Sequence, residues 1–243
     1  MYTRPYMDQE KKLERLNKWL VAAGYCSRRE ADRLITAGAV TVDGLVATLG
    51  LKVTGTEDIR VHNKHITANT QKPIYIAYNK PIGIICTSDK NARDNIIDSI
   101  GYPERIFHIG RLDVASSGLI LLTNNGDIVN KILRAQGGHE KEYLVTVDKP
   151  ITSTMLEHLA NGVMLDGRLT LPAKVSAKNE TSFSITIIEG RNRQIRRMCE
   201  ACGYAVVSLK RIRIMHISLG NMKTGEWRHL TPGEEKELVS SLC

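Results

Sequence analysis

Two apolar runs, Ile106–Ile109 and Leu119–Thr123, close around a short polar segment, Gly110-Arg111-Leu112-Asp113-Val114-Ala115-Ser116-Ser117-Gly118. Short apolar runs rich in Ile and Leu and bounded by glycine read as buried strands. A sheet therefore has to hold Arg111 and Asp113, one residue apart, in a fixed place. Polar loops carried by a rigid sheet are common homes for chemistry. The same local pattern fits an Asp that caps a turn beside an Arg that pairs with it, and the rest of the chain decides.

With 243 residues the chain can bury one large core, or one mid-sized core and a small one. Its 42% hydrophobic and 25% charged residues are those of an ordinary globular protein. A net charge of +8 favours a polyanionic partner. Aromatic residues are only 5%, which argues against a surface built from many stacked bases. No apolar run approaches the roughly 20 residues of a membrane helix. Met1–Lys12 is polar and has no signal core, so a cytoplasmic location is expected. Five scattered cysteines, at 26, 86, 199, 202 and 243, fit a reducing compartment better than a disulfide framework. Cys199 and Cys202 have the spacing of half a zinc site, but no second pair completes it, and no metal is expected.

Residues 1–12 read as a flexible tail. A helix is predicted over Leu13–Ala23, where Leu16, Leu20 and Ala23 recur at helical spacing and Gly24 stops it. Ser27-Arg28-Arg29-Glu30 reads as a capping box opening a second helix to about Ala37, with Ala31, Leu34 and Ile35 inward. Val40–Thr48 reads as a hairpin around Asp43-Gly44, and Ile59–His62 as a further strand. This is a small module over 13–61 with a thin core. Arg28, Arg29 and Arg33 lie on the outer side of its second helix, either as a solvated face or as a groove for a phosphate backbone.

A polar linker is predicted over 62–72, and a larger domain over 73–243. Strands are expected at Ile74–Tyr78, Ile84–Thr87, Glu142–Asp148, Phe183–Ile188 and within Ala205–Leu219, with a turn at Asn79–Gly83. Helices are expected at Asp127–Arg134, Thr152–Ala160, Asn192–Ala201 and Glu234–Leu242. Strands outnumber helices and short turns join most of them, which argues for an α+β fold on a largely antiparallel sheet.

A second dense signal lies where a strand hands over to a helix, Gly190-Arg191-Asn192-Arg193-Gln194-Ile195-Arg196-Arg197-Met198. From Gly190 to Arg213 the chain places Arg191, Arg193, Arg196, Arg197, Lys210, Arg211 and Arg213 against Glu200 alone. Nucleic-acid backbones suit such a concentration; a solvated basic helix is the plainer alternative. Helical spacing puts Arg193 and Arg197 on one face and Ile195 and Met198 in the core. Arg196 lies beside that apolar face, within reach of a partly buried carboxylate.

Leu13 to about Arg60 resembles the S4 RNA-binding domain, through Arg15–Leu20, Cys26–Asp32, Ile35, Gly38, Val40 and Val42-Asp43-Gly44. Gly110–Asp113 with Ser116–Asn124, then Lys141-Glu142-Tyr143, then Gly190–Met198 resemble, in that order, the RNA pseudouridine synthases. Asn79-Lys80-Pro81-Ile82-Gly83 fits their branch with an N-terminal S4 domain, and the likeness runs from Leu13 to about Thr231. Arg93–Asp98, Val129–Ala135 and His139–Pro150 read like type F within that branch, a type that modifies 23S rRNA. That type can carry a long basic C-terminal tail; the sequence stops at Cys243, and contacts from such a tail are not expected.

The resemblance implies a small αL-type S4 domain followed by a catalytic domain built on a mostly antiparallel mixed β-sheet flanked by helices, the pseudouridine synthase fold. It implies site-specific isomerisation of uridine in structured RNA, 23S rRNA foremost and a tRNA second. Asp113 matches the catalytic Asp, and Arg196 the basic residue paired with it. Tyr143 matches the Tyr stacked on the target uracil, and Arg111 the residue that fills the space left by the flipped nucleotide. Arg28, Arg29, Arg33, Arg191, Arg193 and Arg197 are expected to meet RNA. An internal rearrangement needs no cofactor and no metal, and no obligate protein partner is implied. A sibling enzyme acting on a different rRNA site is the alternative within the class; a non-catalytic S4-type RNA-binding or ribosome-assembly protein is the rival from another class, and the set Asp113, Tyr143 and Arg196 argues against it. A metal-dependent nuclease would need a carboxylate cluster that the sequence lacks.

Overall fold

The chain divides at Lys72 into two units, Met1–Lys72 and Pro73–Cys243. The computed structural model describes residues 13–68, 72–89, 91–133 and 138–242. The tail expected over 1–12, part of the expected linker (69–71) and Arg134 of an expected helix lie outside the described residues.

The first unit runs β1 (Glu14–Arg15), α1 (Leu16–Ala22), α2 (Arg28–Thr36), β2 (Val40–Val42), β3 (Leu45–Val46), β4 (Lys52–Val53), β5 (Ile59–Val61) and β6 (Lys64–His65). Leu16, Trp19 and Leu20 of α1 and Ala31 and Ile35 of α2 are buried with Val40, Val53, Ile59 and Val61. The first helix starts at Leu16 rather than Leu13, because Glu14 and Arg15 pair with Val53 and Lys52. Only half of the expected capping box forms. The Ser27 hydroxyl accepts the Glu30 amide at 3.2 Å, while the Glu30 carboxylate turns to Arg33 at 2.7 Å. Asp43 and Gly44 both adopt positive φ, 49° and 79°, as a two-residue hairpin turn requires. The expected linker starts too early. His62 and Asn63 make a second turn with positive φ, Lys64–His65 pairs with β5, and Ile66 is buried in the core.

The second unit runs β7 (Tyr75–Lys80), α3 (Ile96–Ile100), β8 (Phe107–Ile109), β9 (Ser117–Thr123), α4 (Gly126–Leu133), β10 (Lys141–Val147), α5 (Ser153–Asn161), β11 (Met164–Leu165), β12 (Arg168–Leu169), β13 (Lys174–Ala177), β14 (Ser182–Ile187), α6 (Gln194–Ala201), β15 (Val206–Ile214), β16 (Ile217–Ser218), β17 (Trp227–His229) and α7 (Pro232–Ser240). One sheet has the order β13-β14-β10-β15-β9-β7-β17, with β16 on β15 and β8 on β9. Every pair in it is antiparallel except β15 with β9. The sheet is therefore the mixed, mostly antiparallel one expected.

Both faces of its centre are covered, so all six residues of β7 are buried. Ile76, Tyr78, Ile120, Val145 and Ile185 face α5 and α6 through Met155, Leu159, Ile195 and Met198. Tyr75, Ala77, Leu119 and Leu121 pack with Ile128 and Ile132 of α4 and Leu238 of α7. Two local expectations fail. Asn79 and Lys80 continue β7 instead of forming a turn, and Ile84–Thr87 makes only an isolated bridge, Ile85 to Asn95. Their side chains explain it. The Asn79 amide is bound by the Met222 carbonyl at 2.8 Å, and buried Lys80 reaches forward to the carbonyls of Pro81 and Ile84.

The site is placed by the edge of β9 opposite β7, which two strands share. Its first residues, Ser117 and Gly118, pair with β15, and its last, Leu121 to Thr123, pair with β8. The loop 110–116 joins β8 to β9 where those two neighbours diverge.

Candidate active site

The loop between β8 and β9 is held from several sides. Its own turn is closed by the Ser116 amide on the Asp113 carbonyl at 3.0 Å. The Gly83 amide donates to the Val114 carbonyl at 2.9 Å, from the turn that Lys80 holds beneath it. The Leu112 amide meets the Cys86 sulfur at 3.4 Å. His108 Nδ1 lies 2.6 Å from the Gly110 carbonyl, and burial, with Arg111 nearby, pushes its pKa down. Arg196 fastens the far side, donating to the carbonyls of Ala115 at 2.9 Å and Val206 at 3.0 Å. A loop tied at so many points presents its side chains in one geometry.

Asp113 projects half-buried from this loop into a cavity of about 570 Å³, a common size for a ligand pocket. Tyr143, buried on β10, lines the same cavity with Arg111, Lys141, Arg191, Arg193 and Arg211. A shallower hollow of about 410 Å³ opens on the other side of Arg111, Asp113, Asn192 and Arg193, which line both. Asp113 thus stands on a divide, with the two exposed arginines beside it.

The sequence-derived residues fall into three groups. Asp113, Tyr143, Arg111 and Arg193 come together as described. Arg196 does not pair with Asp113 through an ion pair; it holds the Asp113 loop by its backbone instead. Burial pushes the Arg196 pKa down, Arg193 adds to this, and the Asp113 charge nearby opposes it. Arg191 and Arg197 are already engaged within the protein. Arg191 binds Glu189 at 3.2 Å and the carbonyls of Arg168 and Leu169 at 3.0 and 2.6 Å. Arg197 binds Asp166 at 2.5 Å, in the turn between β11 and β12. Arg191 therefore fastens the β11–β12 hairpin to the loop before α6, and Arg197 fastens it to α6 itself. Arg193 precedes α6 as its left-handed cap (φ 48°), so it does not share a helical face with Arg197.

The first unit supplies a separate basic surface. Arg28, Arg29 and Arg33 are exposed on α2. A groove there is lined by Arg15, Lys18, Arg28 and Lys52, and only Arg28 of these was singled out from sequence. The others sit on β1, α1 and β4, and only folding brings them together.

Lys80, Lys141 and Arg211 stand in the sequence only as members of motifs or of a basic run, with no individual role. Each is buried; Lys141 and Arg211 line the cavity, and Lys80 holds the turn that meets the Asp113 loop. A cation in a strand signals nothing until its neighbours show which face it takes. One signal was available for Arg211. Gly118 has φ 101°, and a Cβ there would fall 2.2 Å from the Arg211 carbonyl oxygen. The glycine of Ser116-Ser117-Gly118 exists so that β15 can lie against β9 at that residue.

A family profile described as RNA pseudouridylate synthase matches residues 74–201, and one described as S4 domain matches 14–59. The chain belongs to the RNA pseudouridine synthases, with an S4 domain ahead of the catalytic one. It is 49% identical over 221 residues to the dual-specificity RNA pseudouridine synthase RluF of Escherichia coli (strain K12), covering 90% of this chain and 76% of that one. It is 40% identical over 235 residues to the ribosomal large subunit pseudouridine synthase B of Bacillus subtilis (strain 168), covering 93% and 96%. A crystal structure of a pseudouridylate synthase superimposes with a TM-score of 0.68 at 31% identity, covering 92% of this chain and 99% of that one. No helix among the described residues is long and apolar enough to cross a membrane.

Proposed function

We propose that this enzyme isomerises a uridine in a folded segment of 23S rRNA, in the cytoplasm, with Asp113 as the catalytic carboxylate. A tRNA uridine is the second substrate to test, since one relative is named as dual-specificity. The 23S rRNA comes first because the other relative is named for the ribosomal large subunit. The observation that carries the reading is Asp113 held half-buried on a fastened loop, in one cavity with Tyr143 and beside exposed Arg111 and Arg193.

A uracil stacked inside folded RNA is out of reach of that cavity. The nucleotide must be extruded, at a cost of a few kcal/mol. Arg111, exposed at the rim, fills the place it leaves, and Arg193 meets a neighbouring phosphate. Tyr143 offers its ring to the flipped base. Asp113 then attacks C1′ or takes a proton from the sugar, so that the bond from C1′ to N1 breaks and the base turns and rejoins through C5. Arg196 keeps the loop from yielding. Arg28, Arg29 and Arg33 grip the RNA backbone.

Tritium release from 5-tritiated uridine in 23S rRNA and tRNA transcripts tests the activity. Carbodiimide primer extension on rRNA from cells with and without the protein locates the site. A signal in 23S rRNA that disappears with the protein is expected. An unchanged pattern in both RNAs would overturn the substrate assignment.

A further inference from the structure

Arg211 and Lys141 line the catalytic cavity and have no part in the scheme above. A register shift between Glu142 and Tyr143 leaves Ile212 unpaired and sets Arg211 across from Tyr143. Bulges of this kind re-aim side chains beside active sites. Arg211 is 4% exposed. Its Nε donates to the Leu119 carbonyl at 2.7 Å and its Nη1 to the Tyr143 hydroxyl at 3.4 Å. Its Nη2 is buried and has no hydrogen-bond partner among the described residues. The guanidinium carbon lies 5.9 Å from the centre of the Tyr143 ring. Lys141 is 9% exposed, and its Nζ donates to the carbonyls of His139 and Ile188 at 3.0 and 3.2 Å. Burial, and then the Arg211 charge, push the Lys141 pKa down.

Two buried cations therefore sit near each other, hydrogen-bonded among the described residues only to neutral oxygens. Asp113 is the one carboxylate among the described residues that line the cavity. Buried charge without a counter-ion is costly, and an unsatisfied buried donor adds to the cost. Such an arrangement persists where negative charge is to be received. The reaction provides that charge. When C1′–N1 breaks, the bonding pair leaves on N1, whether C1′ is taken by the Asp113 carboxylate or the sugar loses a proton to it. The free ring is then a uracil anion, its charge spread over N1, O2 and O4. It stays so until C5 bonds to C1′, which displaces the Asp113 carboxylate on the first route or is matched by return of the sugar proton on the second; the C5 proton then departs and N1 takes one up.

We propose that Arg211 and Lys141 form an anion cradle that holds the detached uracil ring while it turns, with the open Nη2 donor of Arg211 meeting a ring carbonyl. The cradle rests on the isomerase reading for its substrate, but its preference for an anionic ring can be measured without turnover. The probe is 5-nitrouracil, whose nitro group acidifies the ring so that it is an anion at neutral pH, compared with neutral uracil. Each is titrated into the full chain and into the Arg211→Met and Lys141→Met variants, with far-UV circular dichroism as the check on folding. The intact protein should bind the anionic probe about tenfold or more tighter than uracil, as charge-assisted hydrogen bonds do. The methionine variants should lose that preference. At saturating RNA, their single-turnover tritium release should fall about a hundredfold, with RNA affinity within about threefold. Should Arg211→Met fail to fold, Arg211→Lys keeps the charge and should keep the preference, while Lys141→Met should still lose it. Equal binding of the two probes by the intact protein would overturn the cradle, as would full-rate turnover by the folded variants. An intact protein that prefers the anion yet releases no tritium from any transcript would instead count against the isomerase reading.

Discussion

On α2, Arg28, Arg29 and Arg33 stand exposed, and among the described residues only Arg33 has a partner, Glu30 one turn earlier. Between Gly190 and Ile214, Arg191, Arg196 and Arg211 direct their donors at backbone carbonyls, and Arg213 is held by Glu140 and Glu142 at 3.0 and 2.8 Å. In sequence the two stretches are both simply basic. A solvated arginine keeps its charge for a distant phosphate and does nothing for the fold. An arginine tied to carbonyls fixes the backbone around it, and its charge acts only inside the cavity it helps to wall. The first kind should set how tightly RNA binds, and the second how fast the bound RNA reacts.

The sharpest break of this comparison is Arg196→Met. It removes the two ties by which α6 holds the Asp113 loop at Ala115 and the start of β15 at Val206. Single-turnover isomerisation at saturating RNA should fall about a hundredfold or more, with RNA affinity within about threefold. Arg193→Met, at an exposed residue, should mainly raise the RNA concentration needed. Equal rate losses in the two variants would erase the distinction.

Charge reversal of Arg28, Arg29 and Arg33 together should do the converse. RNA affinity should drop by about tenfold or more, and the slope of log affinity against log salt should flatten by about 2 to 3, while the rate at saturation holds. Filter binding across a salt series measures both. An unchanged slope would make this helix face a merely solvated one.

Smaller effects are expected where arginine fastens the β11–β12 hairpin. Arg197→Met frees Asp166 at the turn, and KM should rise about threefold with kcat nearly unchanged. A fall in kcat alone would move Arg197 into the group that shapes the site.

The mildest test uses acid, which the two units should feel through different glutamates. The Arg228 hydrogen bond, against the opposing pull of burial, holds Glu234 at a pKa of about 2, with Thr231 adding to it. Burial would raise the Glu57 pKa, but the amides of Thr54 and Gly55 and the Thr54 hydroxyl outweigh it and hold it at about 2. Both are depressed from 4.5, so the folded state binds fewer protons than the unfolded one. Their contribution is present above pH 4.5 and is lost as pH falls through that value toward 2. Thermal melts at pH 7, 4 and 3 should show both units weakening. Glu57→Gln should flatten the response of the first unit only.

Much of the fold could be read where the pattern was strong. Leu119–Thr123, the helix capped by Thr152 and the helix from Gln194 are found where the sequence pattern put them. Short elements escaped. The Asp43-Gly44 turn was recognised, yet Asp166-Gly167 makes the same kind of turn and was passed over, because two-residue strands leave no alternation to read. His62-Asn63 turns without a glycine. In the site, the family resemblance pointed to Asp113, Tyr143 and Arg111, and the fold brings all three to one cavity. The work of each arginine did not follow from type and spacing. Arg191 and Arg197 look like phosphate contacts until the hairpin they bind is in place, and Arg211 looks like a surface charge until the Ile212 bulge turns it beside Tyr143.

The account stands on Asp113, and Asp113→Asn tests it most directly. The amide keeps the shape of the side chain and cannot serve as nucleophile or base. Tritium release from 5-tritiated uridine in 23S rRNA should fall below about 1% of the unaltered enzyme, with RNA affinity within about threefold. Turnover above that level, in a variant that folds and binds RNA normally, would remove Asp113 from the reaction.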